Sequence, residues 1–481
     1  MEGLLLALVL ISLLLIRTPL FIIIAALTIW FFHEADQNLA VMIVSFTELA
    51  KQPILIAIPL FTFAGYLLSE GKTPEKLVHL SRVLFGFLPG GLAIVTLITC
   101  AFFTAFTGAS GVTIIALGGL LYPILVQEKY PERFSLGLIT TSGSLGLLFF
   151  PSLPLILYGI ISETDILSLF KAGILPGILL ILILSFYSVK VGHSRQISKT
   201  ENPFESIQTI ISRILSKELA QLLVPVLVLI VAILINELIG KFIMFLLVIL
   251  SSYLTLRGLV KLLFKETVIV AFNGAKYIIF LPILVVAGIY SGQFTATQSA
   301  AVTATYVFVM EFFLYKDISI KKDLVRLVNE SMSLVGAILI IMTVALAFTN
   351  YLIDEDVPTL ILESIQTHID SKLMFLIVLN IFLLIVGSIM DIFSAIMVVV
   401  PLIIPLAREY GVDPVHLGII FLTNLEIGYL TPPIGMNLFI SSFRFNKNIF
   451  TLYRSVLVYI LLLLLALIII TYVPELSLFF V

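Results

Sequence analysis

The chain has 481 residues, of which 60% are apolar and 12% are charged, and its mean hydropathy is +1.19. Soluble domains are about 45–50% apolar and about 25% charged, so this composition indicates a polytopic membrane protein. The net charge of −2 argues against a nucleic-acid-binding protein, and the single cysteine, Cys100, excludes a disulfide framework. No Walker A or HExxH motif occurs, which argues against an ATP-driven pump or a zinc-helix protease.

Apolar segments bounded by charge, glycine or proline predict about 12 spans, because one span needs about 20 apolar residues. In chain order the segments are 3–17, 19–33, 53–69, 84–127, 133–159, 168–190, 220–238, 241–262, 274–292, 298–315, 330–352, 372–408, 413–441 and 455–473. The first segment lacks the charge pattern and cleavage site of a secretory signal, so we expect it to be a span.

Lysine and arginine near span ends stay on the cytoplasmic side, and this rule orients the chain. The loops 190–218, 316–326 and 444–454 are rich in lysine and arginine and are predicted to lie inside. The loop 353–371 carries five acidic residues with no arginine or lysine and is predicted to lie outside. Both termini are then predicted to lie outside.

Two apolar segments are too long for one span, and the predicted orientation makes each return to the side it entered from. Segment 84–127 has basic flanks at both ends, which predicts a re-entrant hairpin from the inside with its tip near 106–111. Segment 372–408 must return to the outside, which predicts a second hairpin with its tip near 387–394.

An internal repeat supports this pairing. GSLGLLFFPSLP follows the first predicted hairpin, and NLEIGYLTPPIG follows the second. Gly146 matches Gly428, and Pro151 matches Pro433, both 282 residues apart. Two similar units of opposite orientation form an inverted repeat, which is typical of secondary transporters.

The matched glycines and prolines lie in the middle of apolar segments and predict interrupted helices. Proline removes a backbone N–H, and the carbonyls that an interruption frees are tolerated at membrane depth only inside protein or beside a cavity. Such sites hold Na⁺ and orient anionic substrates in transporters with this organisation. The alternative is that glycine and proline serve helix packing alone, but their matched positions in two units favour function.

Two acidic residues fall inside predicted membrane segments, where a charged side chain is costly. Asp391 lies at the second tip, and Glu426 lies beside the second interruption. Asp391 is a candidate substrate neighbour or a helix cap, and Glu426 is a candidate functional acid or a structural ion-pair partner. Asn437 is a candidate ligand or a packing hydrogen bond.

Five motifs together resemble a known family. They are FTGASGVTIIALGG, GSLGLLFFPSLP, GQFTATQSAAV, GSIMDIFSAIMVVVPLIIPLA and NLEIGYLTPPIGMN. They are similar to the large membrane subunit of tripartite ATP-independent periplasmic (TRAP) transporters, and the resemblance covers roughly 40–192 and 274–475. It implies an all-α polytopic membrane protein of the bacterial or archaeal cytoplasmic membrane. Its fold would have an inverted repeat, two re-entrant hairpins and two interrupted helices, like the elevator-type ion transporter superfamily.

The resemblance also implies the activity. The chain is expected to be a Na⁺-coupled importer of a small organic anion, a carboxylate, and not an enzyme. A periplasmic substrate-binding protein would deliver the substrate, and a small four-helix membrane subunit would support the scaffold. The segment 220–262 adds two spans that the resemblance does not cover.

The resemblance places two Na⁺ sites and a substrate site in this sequence. The first Na⁺ site would use Thr107 and Ser110 with the carbonyls of Gly146, Phe149 and Pro151. The second Na⁺ site would use Gly387, Gly428 and Thr431. The substrate would border Ser110, Asp391, Pro154 and Asn437.

The expected domains follow the hairpins. Residues 84–159 and 372–441 would form the two transport-domain repeats; 1–83 and 160–371 would be scaffold, and 442–481 would be the C-terminal helix.

Two other functions stay open from the sequence. The first is a stand-alone Na⁺- or H⁺-coupled elevator transporter or antiporter that works without a binding protein. The second is a membrane-embedded enzyme or an assembly scaffold. An enzyme would need converging acids, a Ser/His pair or a metal cluster, and only Asp391 and Glu426 are candidates.

Overall fold

The structure is a computed structural model. It describes residues 20–34, 44, 47, 51, 53–194, 202–206, 209, 225, 241–290, 293–355, 369, 371–432 and 435–481. The predicted span 3–17, nearly all of 220–238, most of the acidic loop 353–371 and Pro433 lie outside these residues.

The described part of the chain is almost entirely helical, which confirms the predicted all-α fold. In chain order the helices are α1 (Leu20–Glu34), α2 (Ala57–Glu70), α3 (Thr73–Phe85), α4 (Gly91–Thr107), α5 (Ser110–Gln127), α6 (Glu132–Ser142), α7 (Leu153–Ile161), α8 (Ile166–Ala172), α9 (Ile174–Ser194), α10 (Lys241–Leu263), α11 (Glu266–Tyr290), α12 (Ala296–Val309), α13 (Ile320–Asp354), α14 (Lys372–Ile389), α15 (Ile392–Glu409), α16 (Pro414–Gly428), α17 (Met436–Phe445), α18 (Ile449–Tyr472) and α19 (Glu475–Leu478). A 3₁₀ turn (Leu145–Leu148) separates α6 from α7, and a π-helical turn (Met310–Tyr315) extends α12.

Many of these helices are long and apolar enough to cross a membrane. Within the described residues, seven helices pass this test. An eighth span results if α6, the 3₁₀ turn and α7 are counted together as one helix that is bent by 47°. This confirms a polytopic membrane protein. The total of about 12 spans stays a prediction, because predicted spans also fall outside the described residues.

Two helical hairpins lie where the sequence predicts them. α4 ends at Gly108, whose φ of +65° suits glycine, and its N–H donates to the Thr104 carbonyl at 2.8 Å. α14 ends at the extended Met390, and α15 begins after Asp391. The starts of α5 and α15, and likewise of α6 and α16, are 282 residues apart, which matches the motif repeat. Entry from opposite membrane faces stays a prediction.

The two repeats interlock through their interrupted helices. α7, the second half of the first interrupted helix, packs against α15 of the second hairpin. α17, the second half of the other interrupted helix, packs against α5 of the first hairpin. Each repeat therefore supplies part of the packing surface of the other.

A second group of helices lies against the hairpins. α2 packs against α12, α13 and α4, and α13 also packs against α1 and α15. α9, which falls within the predicted scaffold range 160–371, instead packs against α4 of the first repeat and against the C-terminal α18. Its contacts favour placing α9 with the repeats.

Polar contacts tie the start of α3 to the end of α12. Glu311 is fully buried, and its carboxylate accepts a 2.5 Å hydrogen bond from the Thr73 hydroxyl. Gly71 leaves room for this carboxylate, and Lys76 forms an ion pair with Asp317. These contacts fix the basic flank that precedes the first hairpin.

The opposite entry of the two hairpins can be tested by thiol labelling. Gln127 and Glu409 are exposed, end α5 and α15 and are 282 residues apart, so they are a matched pair. In a Cys100→Ala background, we expect Gln127→Cys to react with a membrane-impermeant maleimide only from the cytoplasmic side. Glu409→Cys should react only from the periplasmic side, and labelling of both from one side would contradict the inverted repeat.

Candidate functional site

The first interruption separates α6 from α7 and lies against the first hairpin. The 3₁₀ turn and a cis Phe150–Pro151 peptide bond form the link between the two helices. Gly146 faces α4, where a Cβ at this position would lie 2.5 Å from the Ala105 nitrogen and 2.6 Å from the Thr104 Cβ. Only glycine allows this approach without a backbone shift.

The tip of the first hairpin contacts the same interruption. A Cβ on Gly108 would lie 2.8 Å from the Cβ of Leu153, the first residue of α7. The Thr104 hydroxyl lies 2.9 Å from the Gly143 carbonyl and 2.7 Å from the Thr113 hydroxyl. The two hairpin arms, their tip and the interruption therefore form one packed unit.

The predicted first Na⁺ set is distributed around this unit. Thr107 and Ser110 flank the tip and are both buried, and the Thr107 hydroxyl lies 3.5 Å from the Thr104 carbonyl. The Gly146 carbonyl accepts a 3.0 Å hydrogen bond from the Phe149 N–H, which leaves its second lone pair for another partner. The Phe149 ring packs against Gly177 of α9, and Pro151 is buried after the cis bond.

Sequence reasoning missed Ser152. This residue directly follows Pro151 and is fully buried, and its hydroxyl has no hydrogen-bond partner among the described residues. The hydroxyl of Thr141, near the end of α6, is also buried without a hydrogen-bond partner among the described residues. A hydroxyl beside an interrupting proline was the available signal, because buried polar groups normally have partners.

The second interruption contacts the second hairpin even more closely. A Cβ on Gly428 would lie 2.5 Å from the Gly387 Cα, so the two backbones touch. The Gly435 N–H donates to the Ser388 carbonyl at 3.2 Å, and the Ile392 N–H donates to the Tyr429 hydroxyl at 2.5 Å. These hydrogen bonds join both ends of the interruption to the hairpin.

The structure brings the predicted second Na⁺ set together. Gly387 and Gly428 are in contact, and the Thr431 hydroxyl donates to the Gly428 carbonyl at 2.9 Å. Thr431 is half-buried, so its oxygen lies at the edge of the packed region. Backbone and hydroxyl oxygens are the ligands that hard cations prefer.

Asp391 is the N-cap of α15. One carboxylate oxygen accepts hydrogen bonds from the Phe393 and Ser394 N–H groups, both at 3.0 Å. The other accepts the Ser394 hydroxyl at 2.5 Å. These hydrogen bonds support the alternative that Asp391 is a helix cap. Contact of Asp391 with substrate stays a prediction.

Asn437, a predicted substrate neighbour, links the two repeats through a hydrogen bond. Its side-chain amide donates to the Thr140 carbonyl of α6 at 3.3 Å, and its own carbonyl oxygen is buried without a partner among the described residues. Pro154 is buried in the first turn of α7. Glu426 is 1% exposed, and neither of its oxygens has a described partner.

The glycine contact at the second interruption yields a prediction. Gly428→Ala should lower the thermal unfolding temperature, because its Cβ meets the Gly387 backbone and overpacking costs about 1–3 kcal/mol. Gly336→Ala in α13 is the control, since a Cβ there meets nothing within 4 Å. Thermal unfolding of the purified variants measures this effect, and equal stability of the two would refute the close contact.

Comparisons with known proteins agree with this architecture. The profile of the "Tripartite ATP-independent periplasmic transporter, DctM component" family matches residues 5–476. The chain is 31% identical to the isethionate TRAP transporter permease DctMQ of Oleidesulfovibrio alaskensis over 91% of its own length and spans 59% of that protein. It is 30% identical to the C4-dicarboxylate TRAP transporter large permease DctM of Pseudomonas aeruginosa, covering 94% of this chain and 91% of that one.

A solved structure shows a similar fold. The YdaH transporter of Alcanivorax borkumensis superposes with a TM-score of 0.52 at 15% identity, over 89% of this chain and 86% of that one. The matched relatives are transporter permeases, and the apolar helices indicate a multi-pass protein of the bacterial inner membrane. The chain belongs to the DctM family, the large membrane component of tripartite ATP-independent periplasmic transporters.

Proposed function

We propose that this chain carries a small organic anion across the cytoplasmic membrane, driven by a Na⁺ gradient. The relatives' names support the substrate class: they include permeases for isethionate, C4-dicarboxylates, sialic acid and 2,3-diketo-L-gulonate. All of these named substrates are small polar organic acids. They share an anionic group but have different carbon skeletons.

The observation that carries the proposal is the contact of each hairpin with an interrupted helix. Gly146 faces α4 in one repeat, and Gly428 touches Gly387 in the other. An interrupted helix exposes oxygen atoms for a cation and positive helix ends for an anion, and such interruptions in corresponding positions of two repeats mark transporter binding sites. The two Na⁺ sets proposed are Thr107, Ser110, Gly146, Phe149 and Pro151, and Gly387, Gly428 and Thr431.

The substrate would bind between the two tips. Ser110, Asp391, Pro154 and Asn437 are the proposed neighbours. Asp391 already accepts three hydrogen bonds within its own helix turn, so its charge is partly compensated and repels an anion less than a free carboxylate would. We therefore assign Asp391 the role of holding the tip in shape beside the substrate.

An elevator movement fits the packing between the two helix groups. Gly65 of α2 lies so close to the first tip that a Cβ would be 2.6 Å from the Thr107 Cα. α13 meets α15 of the second hairpin. We propose that α4–α9 and α14–α18 move together against α1, α2, α12 and α13, which keeps the predicted repeats 84–159 and 372–441 and adds α9 and the C-terminal helix.

The proposed partners follow from the family. A periplasmic substrate-binding protein would deliver the anion, and a small membrane subunit would extend the fixed scaffold. The matching family is described as one component of a tripartite transporter, which supports the proposal of two further components.

Na⁺ and substrate are coupled if both favour the same tip conformation, and this coupling is reciprocal. Ser110→Ala and Thr431→Ala each remove a hydroxyl from one proposed set. We expect each to raise the Na⁺ concentration for half-maximal uptake about tenfold, since loss of one ligand to a charged group corresponds to about 1.5–3 kcal/mol. Thr343→Ala is the control, because among the described residues its hydroxyl bonds only the Leu339 carbonyl within α13. An unchanged Na⁺ dependence of both site variants would overturn these sets.

Uptake into proteoliposomes tests the function directly. The purified chain would be reconstituted with the proposed small membrane subunit and binding protein, and a panel of labelled organic acids would be offered with and without an inward Na⁺ gradient. We expect uptake that requires both Na⁺ and the binding protein. Uptake without the binding protein would instead establish a stand-alone transporter, and uptake independent of every ion gradient would refute the coupling.

A further inference from the structure

A basic cavity lies away from the two tips, where the ends of three helices meet. It has a volume of about 420 Å³ and is formed by the start of α6, the end of α9 and the start of α18. Arg133, Lys190 and Arg454 line it, each from a different helix. These residues belong to the predicted cytoplasmic flanks of their helices.

Among the described residues, no acid balances these three cations inside the cavity. Its lining contains no aspartate or glutamate, and none of the three basic side chains forms an ion pair with a described acid. Glu132, next to Arg133, is engaged at 2.6 Å by Lys447. Three like charges in one concave site repel each other, so a bound anion would stabilise the arrangement.

The floor of the cavity is formed by three aromatic side chains that contact each other. The rings of Phe134, Tyr187 and Tyr459 contact each other with centroid distances of 5.5–6.1 Å. The Tyr459 hydroxyl donates to the Phe134 carbonyl at 2.9 Å, whereas the Tyr187 hydroxyl has no partner among the described residues. The floor therefore offers an apolar base and one further hydrogen-bond donor.

The rim of the cavity continues into an apolar outer surface. Phe186 of α9 is 78% exposed and Leu461 of α18 is 67% exposed, and Val458 lines the cavity itself. In a membrane protein such exposed apolar side chains face lipid tails. A ligand here would have its charged part among the cations and an apolar part along these helices.

We propose that this cavity binds the headgroup of an anionic phospholipid from the cytoplasmic leaflet. The charged groups match a phosphate diester, for which arginine and lysine are the usual donors, and the apolar rim matches the acyl chains. Basic pockets between membrane helices on the cytoplasmic side are known to take such headgroups. The lipid would clamp the start of α6, and with it the first interrupted helix, to α9 and α18. The inference needs only the membrane location, so it stands apart from the proposed substrate.

Lipid titration with native mass spectrometry tests this site in the intact purified chain. The probes are dioleoylphosphatidylglycerol, dioleoylphosphatidylcholine and inorganic phosphate. We expect one tightly bound phosphatidylglycerol, weaker phosphatidylcholine and no competition by millimolar phosphate. The variant Arg133→Gln/Lys190→Gln/Arg454→Gln should bind phosphatidylglycerol at least about tenfold more weakly, because one charge-assisted hydrogen bond already corresponds to about this factor.

The control removes equal charge elsewhere on the same predicted face. Lys316→Gln/Lys321→Gln/Lys322→Gln alters exposed lysines of another loop and should leave phosphatidylglycerol binding unchanged. The single variant Lys190→Arg, which keeps the charge, should bind like the parent and provides a folded reference if the triple variant is unstable. Lys190→Glu places an acid beside Arg133 and Arg454 and should bind phosphatidylglycerol more weakly than the parent. Equal binding by the cavity triple variant or by Lys190→Glu would overturn the proposal. Displacement of the lipid by inorganic phosphate would also overturn it in favour of a free-anion site.

Discussion

A helix that is interrupted inside a membrane must find protein partners for the backbone groups it frees, because lipid offers none. This constraint explains the closest contacts in the structure. At the second interruption the Gly435 and Ile392 N–H groups are both satisfied across the contact with the hairpin, and Gly428 has no side chain to hold the backbones apart. At the first, Gly146 allows the same closeness to α4. Hairpin and interruption are thus one structural unit, and neither would be stable alone at membrane depth.

The two units also depend on each other. Each interrupted helix sends its second half onto the hairpin of the other repeat, α7 onto α15 and α17 onto α5. Polar contacts reinforce the exchange: the Tyr158 hydroxyl donates to the Pro414 carbonyl at 2.8 Å, and the Thr140 hydroxyl lies 2.9 Å from that of Ser441. A change at one interruption is therefore transmitted through packed helices to the other. Such packing would give the two proposed ion sites a physical route to act on the proposed substrate site.

Much of this architecture was predictable from sequence because a repeat constrains topology. The 282-residue offset between Gly146 and Gly428 anticipates the matching helix starts, and the hairpin tips fall within the predicted ranges 106–111 and 387–394. The contacts of α9 were not predictable, since hydrophobicity identifies a span but not its neighbours. Ser152 was missed although it lies beside an interrupting proline, because a serine in an apolar run has no periodic signal and only the structure shows that its hydroxyl is buried without a described partner. Asp391 is the opposite case, because the sequence did mark it as an unusual acid in a membrane segment. The structure shows that it is the N-cap of α15.

The two interruptions are built from different groups, and this difference bears on how the sites would work. The first interruption has threonine and serine hydroxyls and no acid. Among the described residues, the hydroxyls of Ser152 and Thr141 have no hydrogen-bond partner. The second has the buried Glu426 two residues before Gly428, at the position that Ser144 occupies in the first repeat. Burying a carboxyl without a hydrogen-bond partner among the described residues is costly, so Glu426 distinguishes the second interruption from the first. The two matched segments thus share a similar backbone frame, while their side chains make the two proposed sites chemically unequal.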